Sequence, residues 1–300
     1  MRCSAILTAL LAGCYAPSPV TGLPCGAGDA CPQPLVCAAP THTCEVAGHA
    51  PTDAPRDTHA LPIDASPDAP GCAIAVGHDE DGDGIDDACD NCPTVPNPTQ
   101  ADTTEAMPDG VGDACDPHPT LRDRIARFDS FATLPSGFDV DTGVTVDSDQ
   151  LVVPGTTGYT GGATAVQTSA GGVLQTRFTV VGTHANTYHS VELFAMVAAS
   201  APGGYRCESI DGGNGHRSAG MQTFMSPYDL GYGTQQGAPL TAGVSQTISF
   251  AFSATELRCT LTDPADTIAV AGTARTGAFG VGVQYLDTRF DYLILYELVP

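Results

Sequence analysis

A short acidic run carries the side chains with the clearest chemistry. Asp79, Asp81 and Asp83 alternate along it, and Gly84 follows them directly. Alternate positions of a turn can direct their oxygens toward one centre, and the glycine permits the sharp bend that this arrangement needs. Hard cations such as Ca²⁺ take about six to eight oxygen ligands. The run therefore predicts a calcium site.

Later residues can complete the coordination shell. Ile85 can offer its backbone carbonyl oxygen, and Asp87 and Asp90 can close the site. Ca²⁺ is predicted over Mg²⁺, because Mg²⁺ prefers fewer protein ligands and retains more water. A solvated acidic run in a disordered linker is the alternative, since composition alone would allow it. The order Asp-x-Asp-x-Asp-Gly, with carboxylates at both later positions, favours the metal site.

The pattern continues beyond this loop. It comprises Asp87-Ala88-Cys89-Asp90-Asn91-Cys92-Pro93, then Asn97-Pro98-Thr99-Gln100-Ala101-Asp102, then Asp109-Gly110-Val111-Gly112-Asp113-Ala114-Cys115-Asp116. The segment resembles a thrombospondin type 3 repeat. This resemblance implies a chain that wraps around calcium ions with little regular secondary structure. It also implies disulfides that pair Cys72 with Cys89 and Cys92 with Cys115.

The second half of the segment departs from the family pattern. Its candidate ligands are Asp102, Asp109, Asp113 and Asp116. Glu105-Ala106-Met107-Pro108 stands where the family has Asp-x-Asp, and Met107 has no side-chain oxygen. A second calcium site is therefore weak, displaced toward Asp102, or lost, and the sequence leaves these three outcomes open.

The overall charge agrees with a cation ligand. The chain has 34 acidic and 11 basic residues, a net charge of -23, and every basic residue is an arginine. Such a chain attracts cations and repels nucleic acid and anionic headgroups. Calcium ions are therefore predicted partners, and nucleic acid is excluded.

The cysteines indicate an oxidising compartment. There are 12 of them, a density typical of disulfide-bonded secreted proteins. Zinc is the alternative, but only Cys89 and Cys92 have the paired spacing of a zinc site, and no second pair follows. Disulfides are the prediction.

The first residues predict export. Ala5 to Leu11 form an apolar run that is too short to span a bilayer but fits a signal-peptide core. Leu11-Ala12-Gly13-Cys14 resembles the lipobox of bacterial lipoproteins, which implies a diacylglycerol on Cys14. An ordinary signal peptide with a spare thiol is the alternative. Loss of Cys3 and lipidation of Cys14 leave an even number of cysteines, which favours the lipoprotein.

The expected location is the bacterial cell envelope, at the outer membrane or the cell surface, with the lipid as the only membrane contact. The predicted order is a signal peptide (1–13), a tether (14–24), a Cys-rich knot (25–46), a Pro/Asp/Ala linker (47–71), the calcium segment (72–119) and a larger domain (122–300). Two bridges are expected in the knot, among Cys25, Cys31, Cys37 and Cys44. The calcium segment is expected to act as a stalk.

The larger domain shows period-two alternation, which is typical of strands. Two predicted sets of residues that share a face are Leu174, Thr176, Phe178 and Val180, and Phe290, Tyr292, Ile294 and Tyr296. Paired glycines separate the strands. The predicted fold is mainly β: an antiparallel β-sandwich (jelly roll) preceded by the irregular calcium- and disulfide-stabilised segment.

The beginning and end of this domain carry a further resemblance. Residues 131–138 lead to residues 149–153, and the domain closes with residues 290–297. This arrangement resembles concanavalin A-like (laminin G-type) jelly rolls, which implies that the first and last strands pair. Cys207 and Cys259 each lie beside large apolar residues on strand-like segments, so a disulfide between them is predicted.

No catalytic motif is present. The sequence lacks the Glu-x-Asp-x-Glu strand of many glycosidases with this fold, and it lacks Gly-x-Ser-x-Gly, His-Glu-x-x-His and a P-loop. Glu192 and Glu208 lie on predicted strands, but nothing in the sequence marks them as a pair. Two functions remain: a binding or adhesion module for a polysaccharide or another surface protein, or a carbohydrate-active hydrolase. A purely structural role is the third alternative.

Overall fold

The computed structural model describes residues 30–31, 35–38, 43–46, 77–155, 158–164, 171–197, 204–213, 215–224, 229–234, 237–262 and 265–299. They belong to two compact units, within Met1–Leu61 and Pro62–Pro300. In the first unit, β1 (Leu35–Ala38) pairs antiparallel with β2 (Thr43–Val46). Cys31 and Cys37 are disulfide-bonded. The predictions for the signal peptide, Cys14, Cys25, the linker and Cys72 lie outside the described residues.

The second unit is built from strands. These are β3 (Asp123–Asp129), β4 (Phe138–Val140), β5 (Thr145–Val146), β6 (Leu151–Pro154), β7 (Tyr159–Thr164), β8 (Gly172–Thr183), β9 (His189–Val197), β10 (Tyr205–Asp211), β11 (Arg217–Thr223), β12 (Asp229–Tyr232), β13 (Ser245–Phe252), β14 (Glu256–Thr262), β15 (Ala265–Ala271), β16 (Ala278–Gln284), β17 (Leu286–Phe290) and β18 (Leu293–Leu298). The described residues contain no helix that could cross a membrane.

The strands form two antiparallel sheets that pack face to face. Within the described residues, the front sheet has seven strands in the order β12-β11-β10-β9-β16-β7-β4. The back sheet has nine, with β15-β14-β13-β8-β17-β6-β5 along its main path, and β18 pairs with both β8 and β3. The predicted jelly-roll sandwich is confirmed. The predicted pairing of first and last strands is confirmed as well, since β3 pairs with β18.

The core lies between the sheets. The predicted face of β8 is fully buried at Leu174, Thr176 and Phe178. Cys207 on β10 and Cys259 on β14 form a disulfide with a Cα–Cα distance of 5.0 Å. The predicted bridge is therefore confirmed, and it joins the front sheet to the back sheet.

The predicted face at the end of the domain is wrong. Phe290 packs in the core, whereas Tyr292, Ile294 and Tyr296 lie in a separate cluster on the outer face of the back sheet. The ladder is interrupted between β17 and β18, where the Asp291 backbone N–H donates to the Arg177 carbonyl at 2.9 Å. A shift of one residue moves each later side chain to the opposite face. Simple alternation cannot predict such an interruption.

Candidate functional site

The segment from residue 77 to 118 has the irregular backbone that was predicted, with turns and bends and no strand. Cys92 and Cys115 form a disulfide with a Cα–Cα distance of 5.5 Å, which confirms the pairing implied by the resemblance. Cys89 is also disulfide-bonded. Cross-links thus hold a chain that has no strand ladder.

The first loop folds around its own carboxylates. Asp79 accepts hydrogen bonds from the backbone N–H groups of Gly82 at 2.8 Å and Gly84 at 2.9 Å. Asp83 Oδ1 accepts from the Ile85 N–H at 2.9 Å. Gly82 and Gly84 have φ values of 76° and 95°, which glycine adopts without strain. The order of Asp and Gly in the sequence therefore dictates the turn.

This folding brings three carboxylates together. Asp79, Asp81 and Asp83 each place one oxygen within 4.8 Å of the others. Burial, together with repulsion from Asp83, Asp90 and Asp79, raises the pKa of Asp81 to about 6. Like charges this close disfavour ionisation unless a cation lies between them.

Two oxygens near this cluster have no hydrogen-bond donor. They are Asp81 Oδ2 and Asp90 Oδ2, both buried. Asp90 is only 8% exposed, and its Oδ1 accepts from the Cys92 N–H at 2.7 Å and from Gln100 Nε2 at 2.7 Å. A buried carboxylate oxygen without a partner is costly. A hard cation would satisfy it, so the donor set fits Ca²⁺.

Two other predicted ligands occupy different positions. Asp87 Oδ2 lies 2.6 Å from His78 Nδ1, and Asp87 Oδ1 accepts from the Glu80 N–H at 2.8 Å. Asp87 therefore stabilises the start of the loop through these two contacts. The Ile85 side chain is buried. Direct coordination by Asp87 and by the Ile85 carbonyl stays a prediction.

A second acidic cluster contains a residue that the sequence did not suggest. Asp102, Glu105 and Asp109 each place one carboxylate oxygen within 4.8 Å of the others. With the carboxylates ionised, Asp102 Oδ1, Glu105 Oε2 and Asp116 Oδ2 are buried without a donor. When Glu105 is protonated, it shares a hydrogen bond with Asp116, and this raises the pKa of Glu105. Of the three open outcomes, this arrangement favours a site displaced toward Asp102, with Glu105 as an added ligand.

Asp113 lies outside this cluster of oxygens. It accepts from the backbone N–H of Thr103 at 2.7 Å and of Thr104 at 3.0 Å, and from both hydroxyl groups. These hydrogen bonds lower the pKa of Asp113 to about 2. The residue holds the turn that carries Asp102, and its predicted role as a ligand stays a prediction.

The calcium segment packs on the sandwich. Val111 is fully buried and clusters with Tyr292, Ile294 and Tyr296 on the outer face of the back sheet. The segment thus makes an apolar contact with the sandwich, which its Asp-rich composition does not predict. It lies against the domain, whereas the sequence suggested an independent stalk.

Polar contacts reinforce this packing. Arg177 Nη2 on β8 lies 2.8 Å from Glu80 Oε1, and the guanidinium also bonds to Asp291. The Asp109 carboxylate accepts from the N–H of Asp123, the first residue of β3. Both acidic loops are therefore tied to the back sheet, one through Glu80 and the other through Asp109.

A second candidate site lies on the outer face of the front sheet. Glu192 on β9 stands directly opposite Glu208 on β10. Their neighbours in the same row are Gly282 on β16 and Gly220 on β11, and Tyr232 on β12 follows Gly220. We call this surface, with Tyr159 and Arg206, the tyrosine face.

A buried polar network lies at its centre. Glu192 accepts from Gln284 Nε2 at 2.6 Å, from Ser190 Oγ at 2.9 Å and from Arg206 Nη1 at 3.3 Å. Glu208 accepts from the Tyr188 hydroxyl at 3.0 Å. Burial, and then repulsion from Glu192, raises the pKa of Glu208 to about 8. Both glutamates are completely buried.

Two tyrosine rings flank the network. Tyr159 is 41% exposed and Tyr232 is 44% exposed. A Cβ atom at Gly282 would lie 2.5 Å from the Tyr159 ring, and one at Gly220 would lie 3.4 Å from the Tyr232 ring. The absence of a side chain on Gly282 thus gives the Tyr159 ring room to lie on the sheet. Because strand register is non-local, the sequence did not predict this arrangement.

Comparison with known proteins supports the first of these sites. Residues 72–100 match the model of the thrombospondin type 3 repeat family. No curated protein matches the chain.

Solved structures resemble the sandwich. A carbohydrate-binding module, CBM66 from Bacillus subtilis, has a TM-score of 0.42 at 12% identity, with 52% of this chain and 92% of that chain covered. The exoplasmic/lumenal domain of VIP36, in a form bound to Ca²⁺ and Man3GlcNAc, has a TM-score of 0.45 at 10% identity, with 59% and 91% covered.

Proposed function

We propose that residues 77–118 bind calcium and thereby brace a β-sandwich that serves as a binding module. The observation that carries this proposal is the Asp79, Asp81 and Asp83 cluster, beside which Asp90 Oδ2 is buried without a donor. Protonation or a cation could relieve the repulsion, but near neutral pH a carboxylate cluster of this kind favours the cation.

Calorimetric titration tests the calcium site. The protein should bind Ca²⁺ with a Kd on the order of 10⁻⁴ to 10⁻³ M, as extracellular modules do. Asp81→Asn/Asp90→Asn should remove one binding event, because it neutralises both oxygens that lack a donor. Glu105→Gln should weaken a second event. Asp139→Asn, at an exposed position on β4, is the matched control. An unchanged isotherm in the double variant would refute the assignment.

We further propose that Cys14 carries a lipid that anchors the protein to the bacterial outer membrane or cell surface. The string Leu11-Ala12-Gly13-Cys14 supports this proposal. Expressed in a Gram-negative host, the protein should incorporate labelled palmitate and partition into detergent. Cys14→Ser should abolish the label, whereas Cys3→Ser should retain it. Persistent labelling of Cys14→Ser would rule out this anchor.

In this proposal the sandwich binds a glycan or another surface protein, and adhesion follows from display at the cell surface. A carbohydrate-active hydrolase is the second candidate, because Glu192 and Glu208 stand opposite each other and burial raises the pKa of Glu208 to about 8. Their complete burial favours a binding module, since neither carboxyl can reach a substrate in this conformation.

A further inference from the structure

We infer that the tyrosine face binds a chain of neutral sugars, with one sugar ring stacked on Tyr159 and another on Tyr232. This inference rests on the proposed role of the sandwich as a binding module and assigns the site and the ligand class. It starts from the two exposed rings, which lie on the same side of the front sheet.

The spacing of the rings suits an extended ligand. The Tyr159 ring lies at Gly282 on β16, and the Tyr232 ring lies at Gly220 on β11. Between β16 and β11 stand β9 and β10. Three strand spacings of about 4.8 Å separate the rings by about 14 Å. A single sugar cannot reach both rings, whereas a short oligosaccharide can.

The rings are held in place before any ligand arrives. The Tyr232 hydroxyl donates to Asp229 Oδ1 at 2.6 Å and accepts from Gln222 Nε2 at 3.1 Å. The Tyr159 ring packs against Phe194, with centroids 6.3 Å apart. Fixed rings lose little conformational entropy on binding, which favours a ligand that stacks on them.

Polar groups between the rings can form hydrogen bonds with the hydroxyl groups of a sugar. Arg206 is partly buried and lies between the rings on β10. Its Nη2 bonds to Gln222 Oε1 at 2.7 Å, and Glu192 and Glu208 hold the guanidinium from below. Apolar rings separated by a few oriented polar groups are the usual composition of a sugar site.

The charge balance indicates a neutral ligand. Arg206 lies against Glu192 and Glu208, and Asp229 adds a further acidic side chain at the edge of the face. With a net charge of -23 over the chain, an anionic polysaccharide would be repelled. A neutral glycan has no such penalty.

Binding to neutral and acidic polysaccharides tests the inference. The mature protein with calcium is incubated with cellulose, starch, chitin, xylan and mannan, and with alginate as an anionic comparison. Binding is measured as the loss of protein from solution, and hydrolysis is measured as the release of reducing sugars. At least one neutral polysaccharide should bind. Tyr159→Ala and Tyr232→Ala should each weaken binding about threefold to tenfold, the effect of losing one aromatic contact. Tyr159→Phe should bind normally, and Tyr232→Phe should lose less binding than Tyr232→Ala, because it keeps the ring but loses the two hydrogen bonds of the hydroxyl. Val181→Ala, at an exposed position on the back sheet, is the control.

The outcomes separate the inference from the proposed function. Loss of binding in the alanine variants, with smaller losses or none in the phenylalanine variants and unchanged circular dichroism, supports the tyrosine face. Equal binding by the Tyr159→Ala/Tyr232→Ala double variant places the ligand elsewhere, and the binding module stands. Binding only to alginate, or to none of these polysaccharides, overturns the inference, and the calcium titration then decides separately whether the segment binds calcium. Release of reducing sugars that ceases in Glu208→Gln would overturn a pure binding role.

Discussion

Chelation of calcium should lower the melting temperature of the β-sandwich by about 3–6 °C. Calcium at a tenfold excess over its Kd adds about 1.4 kcal/mol to the free energy of unfolding. In a domain of this size, each kcal/mol shifts the melting temperature by about 2–4 °C. The effect reaches the sandwich because Val111 packs against Tyr292 and Tyr296. A free stalk would loosen in chelator without any change in the domain.

Calorimetry of the mature protein in calcium and in EGTA measures this shift. Asp81→Asn/Asp90→Asn should show a smaller difference between the two buffers, because only the second cluster (Asp102, Glu105 and Asp109) can still bind calcium, and Asp139→Asn should behave as the wild type. Val111→Ala should reduce the response, because it weakens the contact that transmits it. A sandwich that melts at one temperature in both buffers, although calcium binds, would show that the two parts are uncoupled.

Removal of the disulfide between the sheets should cost about 4 kcal/mol of unfolding free energy. The bridge between Cys207 and Cys259 closes a loop with a sequence separation of 52, and the entropy of such a loop gives this value. Both cysteines are fully buried, so Cys207→Ala/Cys259→Ala also leaves unfilled space in the core.

Denaturant unfolding followed by circular dichroism measures the loss. Cys92→Ala/Cys115→Ala is the matched comparison, because its loop is shorter, with a separation of 23, and should cost about 3 kcal/mol. This second variant should also weaken calcium binding, whereas the first should not. A loss below about 1 kcal/mol for the Cys207/Cys259 variant would contradict the expected contribution.

Local patterns predicted much of this molecule. The alternation at Leu174, Thr176 and Phe178 predicted one core face, and the Asp-Gly order at Asp79 to Gly84 predicted the acidic loop. Both depend on near neighbours in the chain.

Non-local pairing accounts for what was missed. Glu192 and Glu208 become opposed only through the register of β9 and β10. Val111 becomes a core residue only because the sandwich supplies Tyr292 and Tyr296. The Asp291 interruption similarly depends on a hydrogen bond to Arg177, which is remote in sequence. Neither composition nor periodicity contains such information.

The position of β18 governs the order in which the exported chain can fold. This strand lies between β8 and β3, and it also carries Ile294 and Tyr296, on which Val111 packs. If the chain crosses the membrane from its N-terminus, residues 77–118 reach the oxidising compartment before residues 293–298. Until β18 is available, the calcium segment therefore lacks the apolar surface on which Val111 packs, and β3 lacks its partner strand. Folding of this unit is consequently late and concerted. Until then, the edges of β3 and β8 that β18 will pair with are exposed, and a chaperone would need to shield them.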